Sequence, residues 1–318
     1  MYKIFISTSS FAKYDSLSLK ILESAIMEYQ LNPFGRKLSQ EECLNFYQDI
    51  NGLIAGTESL TAELLKSAKK LKVISRCGTG LDNVDLEAAK ELGIKVFITP
   101  DGPTQAVAEL TVGLMFNLLR RISMEDRLIR TGVWEKYMGN LLTGKTLGIL
   151  GLGRIGKRVV ELTAPFSLNY LAWDSSPDQE FAANYKVEFR ELNEILKEAD
   201  IVTVHIPYSP ELKNFISYEQ IKLMKKDAFL INAARGGLVD ETALYKALKE
   251  KRIAGAAIDV FEQEPYQGPL KELDNVILTP HIGSYAKEAR IEMEIQAVKN
   301  LLQGLGITIP RPKVLIYP

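Results

Sequence analysis

"TLGILGLGRIGKRVVELTA", residues 146–164, decides how this chain is read. A short apolar run leads into Gly151, Gly153 and Gly156, spaced G-x-G-x-x-G, and apolar Ile155, Val159, Val160 and Leu162 follow at helical spacing. A strand, a glycine turn and a helix in that order form a dinucleotide-binding pattern. Gly151 permits the tight turn, Gly153 lets a pyrophosphate reach the backbone, and Gly156 lets the helix close on the sheet. The helix N-terminus presents N–H groups and a partial positive charge to the phosphates. The next apolar run ends at Asp174, 18 residues after Gly156, where an acid can accept hydrogen bonds from ribose hydroxyls. "SSPD" follows without lysine or arginine, so a 2′-phosphate would meet the acid with no cation to offset it, and NAD is expected over NADP. A glycine turn with a strand-end acid also suits an S-adenosylmethionine-dependent methyltransferase, which would leave the residues discussed next unused.

Outward from this stretch, short β-branched runs alternate with helical patterns. The expected strands are 2–7, 52–56, 72–76, 95–99, 146–151, 168–174, 200–206, 228–233, 255–261 and 275–279. Many are apolar on both faces, as strands buried between two helical layers are. Strands separated by helices imply βαβ units, parallel sheets and an α/β fold. A long helix is expected over 103–122, with Pro103 at its first position and a stripe of Val107, Leu110, Leu114, Leu118 and Ile122, widened by Met115 and Leu119. It reads as the crossover between two domains. A last helix near 286–303 would pack back on the first domain and make that domain discontinuous, and the proline-bearing tail "ITIPRPKVLIYP" starts nothing new.

Bulk properties narrow the partners. The 318 residues are 46% hydrophobic and 25% charged, with net charge −1, which suits a globular chain and gives no reason to expect nucleic acid or an anionic membrane. No apolar window approaches the roughly 18 residues of a membrane span, and the N-terminus lacks a signal-peptide pattern, so a cytoplasmic protein is expected. Cys43 and Cys77 match neither a disulfide framework nor a zinc site; Cys77, in "SRCGTG", is expected to be an inert buried thiol, with a place near a ligand as the alternative, and no metal is expected.

Ligands of open α/β sheets sit beyond the carboxyl ends of the strands. Three successive expected strand ends carry Arg235, Glu264 and His281. Interconversion of a 2-hydroxy and a 2-keto acid calls for these groups. Arginine clamps the substrate carboxylate in a bidentate manner. Histidine carries the hydroxyl proton near neutral pH. A carboxylate beside the imidazole orients it and favours its protonated form. Each residue alone also has a structural reading, but together, downstream of the glycine turn, they point to a hydride-transfer site.

The blocks "GKTLGILGLGRIGKRV", "INAARGGLVDETALYKAL", "AAIDVFEQEP" and "NVILTPHIGS" resemble the signatures of the D-isomer-specific 2-hydroxyacid dehydrogenase family, and "VISRCGTGLDNVDLEAAKELGIKV" and "AVAELTVGLMFNLLRR" extend the likeness into the first half. The resemblance implies a Rossmann NAD-binding domain, 102–284, inserted in a flavodoxin-like substrate domain made of 1–101 and 285–318. It implies Arg235, Glu264 and His281 as catalytic residues. It places Arg154 and Ile155 at the pyrophosphate, Asp174 at the ribose, and Ile206 at the adenine side. Ala233, Ala234 and Asp259 would lie at the nicotinamide half, with His281, Ile282, Gly283 and Ser284 closing on the ring and Thr79 contacting the cofactor. His205 becomes a supporting residue. Arg76, Gly78 and Gly80, with Arg235, would hold substrate, "RCGTG" offering backbone N–H groups as an anion nest.

Within the family the likeness is greatest to the phosphoglycerate dehydrogenases, in a short form without the serine-sensing tail, which makes phosphoglycerate and phosphohydroxypyruvate the expected substrates. Gly56 stands where that branch has a basic residue; Arg36 and Lys37 are candidates to compensate, and glyoxylate, hydroxypyruvate or lactate-type acids are the alternatives. An NAD(H)-sensing corepressor of the same fold is the alternative from another class. The stretch after the long helix resembles a dimerisation arm, with Trp134 and Tyr137 as candidate anchors of a homodimer.

Overall fold

The computed structural model describes residues 2–25 and 27–308; the proline-bearing tail from 309 lies outside them. The chain divides into two compact units, one running to Pro103 and resuming at Tyr285, the other Thr104–Ser284.

The first unit contains β1 (Lys3–Ile6), α1 (Leu17–Ser24), β2 (Glu28–Leu31), α2 (Gln40–Tyr47), β3 (Gly52–Ala55), α3 (Ala62–Ser67), β4 (Val73–Arg76), α4 (Leu86–Glu91) and β5 (Lys95–Phe97). All its strand pairs are parallel, in the order β2-β1-β3-β4-β5. This is the flavodoxin-like doubly wound order, whose direction switches between β1 and β3. Next in the chain come α5 (Asp101–Arg120) and α6 (Ile122–Arg130).

The second unit continues with β6 (Thr146–Leu150), α7 (Arg154–Thr163), β7 (Asn169–Trp173), α8 (Gln179–Tyr185), β8 (Val187–Phe189), α9 (Leu192–Glu198), β9 (Ile201–Val204), α10 (Tyr218–Ile221), β10 (Phe229–Asn232), α11 (Glu241–Lys249), β11 (Gly255–Ile258) and β12 (Val276–Leu278). Its sheet is also parallel, in the order β12-β11-β10-β9-β6-β7-β8, the Rossmann arrangement with its switch between β6 and β9. The central strands β9 and β11 are buried at every residue, as the two-sided apolar runs require.

The last helix, α12 (Lys287–Gly304), returns to the first sheet. Its Met293, Ala297, Val298 and Leu301 join Ile4, Ile6, Ile54 and Val73 in one core. Gly52 lets it close in: a Cβ there would come within 2.7 Å of Leu301. Burying a side chain such as Leu301 contributes about 1.5–3 kcal/mol, and polar contacts add to the stripe on α12: Glu294 accepts the Ala12 N–H at 2.9 Å and Asn300 donates to the Ile98 carbonyl at 2.9 Å.

Three sequence expectations are corrected here. The long helix starts at Asp101, so Pro103 sits inside its first turn, where a missing N–H still costs nothing. It stops at Arg120, because Arg121 adopts the left-handed region at φ 53°, and Ile122 belongs to α6 and is exposed rather than part of the apolar stripe. Strands β2 and β8 went unforeseen: both are edge strands, β2 mostly exposed "EYQL" and β8 the three-residue "VEF", too polar or too short to show a pattern.

Candidate active site

At the switch between β6 and β9 the turn after β6 meets the loop after β9. Gly151 has φ 98°, and a Cβ on it would lie 2.8 Å from the His205 carbonyl and 2.9 Å from Ile206. A Cβ on Gly156 would overlap the Gly151 carbonyl. Gly153 is different: nothing lies within 4 Å of where its Cβ would be. It is the N-cap of α7, it supplies no side chain to that helix end, and the first turn, starting with Arg154 and Ile155, holds no acid. The α7 N–H groups therefore face open space bounded by glycine, as a phosphate requires.

Asp174 closes the adjacent strand end. Its Oδ2 accepts the Leu152 N–H at 2.7 Å and its Oδ1 the Ser176 N–H at 2.8 Å. A carboxylate offers about four lone-pair positions, so two are left for ribose hydroxyls. The neighbouring cation Lys157 is ion-paired with Asp178, which leaves it committed rather than poised for a 2′-phosphate. Glycine cradle, uncapped helix end and strand-end acid fit an NAD-type dinucleotide.

The strand ends of β10, β11 and β12, along the same edge, carry the other candidates. Ala233 is buried directly after β10 and Ala234 is half-buried. Asn232, fully buried at the end of β10, accepts the Ala234 N–H at 3.1 Å and donates to the Arg235 carbonyl at 2.9 Å, so it fixes the loop that carries Arg235. Gly236 brings this loop against the next one: a Cβ there would overlap the Phe261 carbonyl group. Glu264 follows from that neighbouring loop, its Oε1 accepting the Phe261 N–H at 3.1 Å.

His281 completes the group. Its Nδ1 lies 2.9 Å from Glu264 Oε2 and 3.0 Å from Oε1. The backbone at His281 is left-handed, φ 53°, a conformation that histidine tolerates better than most residues and that recurs where function constrains a loop. Its own N–H donates to the Asp259 carbonyl at 2.8 Å. Burial raises the Glu264 carboxyl, but the hydrogen bond and charge of His281, the Phe261 N–H and the Arg235 guanidinium together hold it below its ordinary value. Arg235 thus acts electrostatically on the same carboxylate, while its Nη1 donates to the Ala234 carbonyl at 2.7 Å.

Asp259, fully buried after β11, organises the loop that carries His281. It accepts the Thr279 hydroxyl at 2.6 Å and the Ile282 and Gly283 N–H groups at 2.8 Å each. Burial pushes its carboxyl above the ordinary value despite those three donors. The sequence reading placed it at the nicotinamide; its visible work is in the loop. A Cβ on Gly283 would meet Val107 at 3.1 Å and Asp259 at 3.2 Å, so this glycine lets its loop pack close on α5. Ile282 and Ser284 flank it, one exposed and one half-buried.

His205 lies directly after β9, with Nε2 3.0 Å from the Thr203 hydroxyl. Its Nδ1 is buried without a hydrogen-bond partner, and burial lowers its pKa to about 4.

In the first unit, Arg76 ends β4, its Nη1 donating to the Cys77 carbonyl at 2.7 Å and its Nε directed at Asn83 Oδ1, 3.4 Å away. Gly78 departs from expectation: its N–H donates inward to the Thr99 hydroxyl at 2.7 Å, so an anion nest in "RCGTG" is reduced to Thr79 and Gly80. Arg36 is held by Glu42 through two bonds of 2.7 and 2.9 Å, which commits its guanidinium, and Lys37 is exposed beside it. Cys43 and Cys77 are buried, and burial pushes both thiols up to about 11. The sequence alone missed Asn232, Gly236 and Asn83; the polar residue closing the apolar run "FLIN" was the available signal for the first.

Large cavities are default ligand sites, but the one of about 670 Å³ beside Phe229, Gly255 and Val276 lies at the amino ends of β10, β11 and β12, away from these loops.

Residues 112–283 match the family model described as the D-isomer specific 2-hydroxyacid dehydrogenase, NAD binding domain. The chain is 44% identical over 276 residues to a D-3-phosphoglycerate dehydrogenase of Methanocaldococcus jannaschii, covering 84% of this chain and 52% of that protein. It therefore spans about half the length of that relative. It is 43% identical over 282 residues to a glyoxylate reductase of Thermofilum pendens, covering 86% of this chain and 83% of that one. Among solved structures, a protein of Thermus thermophilus aligns with a TM-score of 0.87 and 36% identity over 98% of this chain and all of the other. With a glycine turn, a strand-end acid and a histidine–carboxylate pair on one Rossmann edge, and with these matches, the chain belongs to the D-isomer-specific 2-hydroxyacid dehydrogenase family.

Proposed function

We propose that the protein interconverts a D-2-hydroxy acid and its 2-keto acid with NAD(H), Thr104–Ser284 serving as the cofactor domain and the other unit as the substrate domain. The observation that carries this reading is the contact of His281 Nδ1 with Glu264 at 2.9 Å. Bound NADH supplies the hydride that reaches C2 of the keto acid. Arg235 holds the substrate carboxylate and polarises the adjacent carbonyl. His281 keeps Nδ1 on Glu264, which leaves Nε2 to donate a proton to the carbonyl oxygen, or to take the hydroxyl proton in the reverse direction. Glu264 orients the imidazole through its Nδ1. Asp259 and Asn232 position the two loops that carry His281 and Arg235. Arg154, Ile155, Asp174, Ile206, Ala233 and Ala234 line the path of the dinucleotide.

The phosphoglycerate-like sequence blocks favour phosphohydroxypyruvate as the keto acid. Glyoxylate and hydroxypyruvate form the second reading, favoured by Gly56 at a position where the phosphoglycerate branch has a basic residue and by the likeness to a glyoxylate reductase over 86% of this chain. Following NADH absorbance with glyoxylate, hydroxypyruvate, pyruvate and phosphohydroxypyruvate tests the proposal. Turnover of at least one is expected. No turnover with any of them, alongside tight NADH binding, would favour the corepressor-like alternative.

We also infer a homodimer. Trp134, Met138 and Leu141 are exposed in one short segment after α6, with Ile122 and Ile129 exposed on α6 itself, more clustered apolar surface than scattered singles explain. Sedimentation at micromolar concentration should give twice the chain mass, and Trp134→Ser should shift it toward the monomer.

A further inference from the structure

Two loops at the carboxyl edge of the second sheet meet at the start of α11. The loop that carries Arg235 ends there on a fixed base. Leu238 and Val239 are buried, and the Asp240 N–H donates to the Ile216 carbonyl at 3.0 Å. Asp240 caps the helix by accepting the Ala243 N–H at 2.9 Å. That leaves Glu241, the first residue of α11, with a side chain the cap does not need. Its Oε1 accepts the Glu262 N–H at 2.7 Å, 21 residues further along the chain. Glu262 belongs to the loop that carries Glu264.

Residues 262–265 are exposed, and exposed loops open most readily. Phe261 before them and Tyr266 after them stack with 4.3 Å between ring centroids and anchor the two ends. Between these anchors the Phe261–Glu262 peptide is gripped from two sides. A Cβ on Gly236 would overlap the Phe261 carbonyl group and come within 2.6 Å of the Glu262 nitrogen, so the Arg235 loop lies flat against the peptide. Glu241 takes its N–H. The Lys213–Glu262 ion pair at 2.5 Å is about half exposed on both sides, and such pairs contribute little. Glu241 is half-buried, where a lower dielectric strengthens a hydrogen bond. Burial raises its carboxyl, the Glu262 N–H opposes the rise, and the charges of Glu262, Asp240 and Glu264 add to it. Glu241 and Glu264 are thus neighbours in charge as well as through the backbone between them.

We propose that Glu241 is a positioning residue for the reaction: from the start of α11 it holds the Phe261–Glu262 peptide and so fixes the loop that sets Glu264 against His281. One helix start thereby ties together the loops that carry Arg235 and Glu264. The inference rests on the dehydrogenase reading above. Glu241 acts through Glu264 and not on the reacting atoms. An acid in a first helical turn ordinarily serves the helix dipole. That role does not account for a bond to a loop 21 residues away.

The test is a double-mutant cycle, run with whichever keto acid of the panel above turns over fastest. Glu241→Ala should lower kcat/KM by about tenfold, as a small misplacement of a supporting loop does, with the Kd for NADH within about twofold of wild type. In a Glu264→Gln protein the same change should cost less than about twofold, because the side chain it positions is already gone. Glu241→Gln keeps an acceptor for the Glu262 N–H and should stay within about threefold of wild type. Equal losses from Glu241→Ala in the two backgrounds overturn the proposal. So does an unchanged kcat/KM in Glu241→Ala, or a Glu241→Gln protein as impaired as Glu241→Ala. Should Glu241→Ala fail to fold, Glu241→Asp takes its place in the cycle. It keeps the acid and draws the acceptor back by one methylene, and the same pattern of losses decides. Hydrogen exchange gives a readout that needs no turnover: the Glu262 amide should exchange about tenfold faster in Glu241→Ala than in wild type, and at the wild-type rate in Glu241→Gln. A wild-type protein that reduces none of the keto acids sinks the hydride-transfer reading alone. The Glu262 amide then decides for Glu241, and equal exchange in wild type and Glu241→Ala overturns its role.

Discussion

The chain has two histidines, and both follow strands of the same sheet. They differ in what stands beside the ring. His281 is exposed, with Nδ1 on a carboxylate. His205 has a hydroxyl on one nitrogen and nothing on the other, and burial lowers its pKa to about 4. The same residue type at equivalent ends of strands in one sheet is thus given opposite tasks. One ring stands against a carboxylate with access to solvent, and burial without a charge partner keeps the other neutral.

Replacing each ring in turn gives the largest expected contrast. His281→Gln should lower kcat by about 1,000-fold while the Kd for NADH, measured by fluorescence titration, stays within a few-fold. His205→Gln should lower kcat by less than about tenfold. Equal losses in the two variants would erase the distinction drawn between the residues.

Taking the carboxylate from His281 is the next step down. Glu264→Gln should cost about 10- to 100-fold in kcat/KM, because the imidazole loses the carboxylate that holds its Nδ1. An unchanged kcat/KM would mean that Glu264 does no more than fill space. Asp259→Asn attacks the support instead. The amide can accept with one oxygen only, so either the Thr279 and Ile282 donors or the Gly283 N–H is left buried without an acceptor. A loss of about 2–3 kcal/mol is expected, read as the shift of a urea midpoint.

The smallest effect concerns pH and stability. The His205 pKa is near 4 in the folded chain, below its ordinary value of 6.5. Below pH 6.5 the unfolded chain takes up a proton that the folded chain refuses until about pH 4. Stability linked to this ring is therefore present above that window and lost as pH falls through it. Between pH 7 and 5 wild type should lose about 1–2 kcal/mol more than His205→Gln. Parallel stability curves for the two proteins would show that the ring is not held neutral.

The glycine turn and the three catalytic candidates were legible because local chemistry forces them. Gly151 and Gly156 each stand where a Cβ would strike backbone, and Arg235, Glu264 and His281 follow apolar runs that can be nothing but buried strands. What stayed hidden depends on distance in sequence. The fit of Gly236 against Phe261 joins residues of two different loops, and the bond from Glu262 to Glu241 joins a loop to a helix start. No spacing rule announces either. The inward turn of the Gly78 N–H was missed for the same reason, since its acceptor, Thr99, lies beyond the next helix and strand. Edge strands β2 and β8 lack the two-sided burial that made the central strands visible.

The seating of α12 on the first sheet carries a consequence for synthesis. The core formed by Ile4, Ile6 and Val73 is completed by Met293, Val298 and Leu301. Residues at opposite ends of the chain must meet before that layer exists, whereas Thr104–Ser284 is contiguous and holds all its own strands. On the ribosome, which releases roughly 5–20 residues per second, the amino-terminal sheet emerges first yet waits with one face only partly covered, by Phe11, Leu22 and Met27, until the last helix arrives. The inserted unit can fold in the interval. A chaperone that shields apolar surface would thus find its longest-lived target in the part of the protein made earliest.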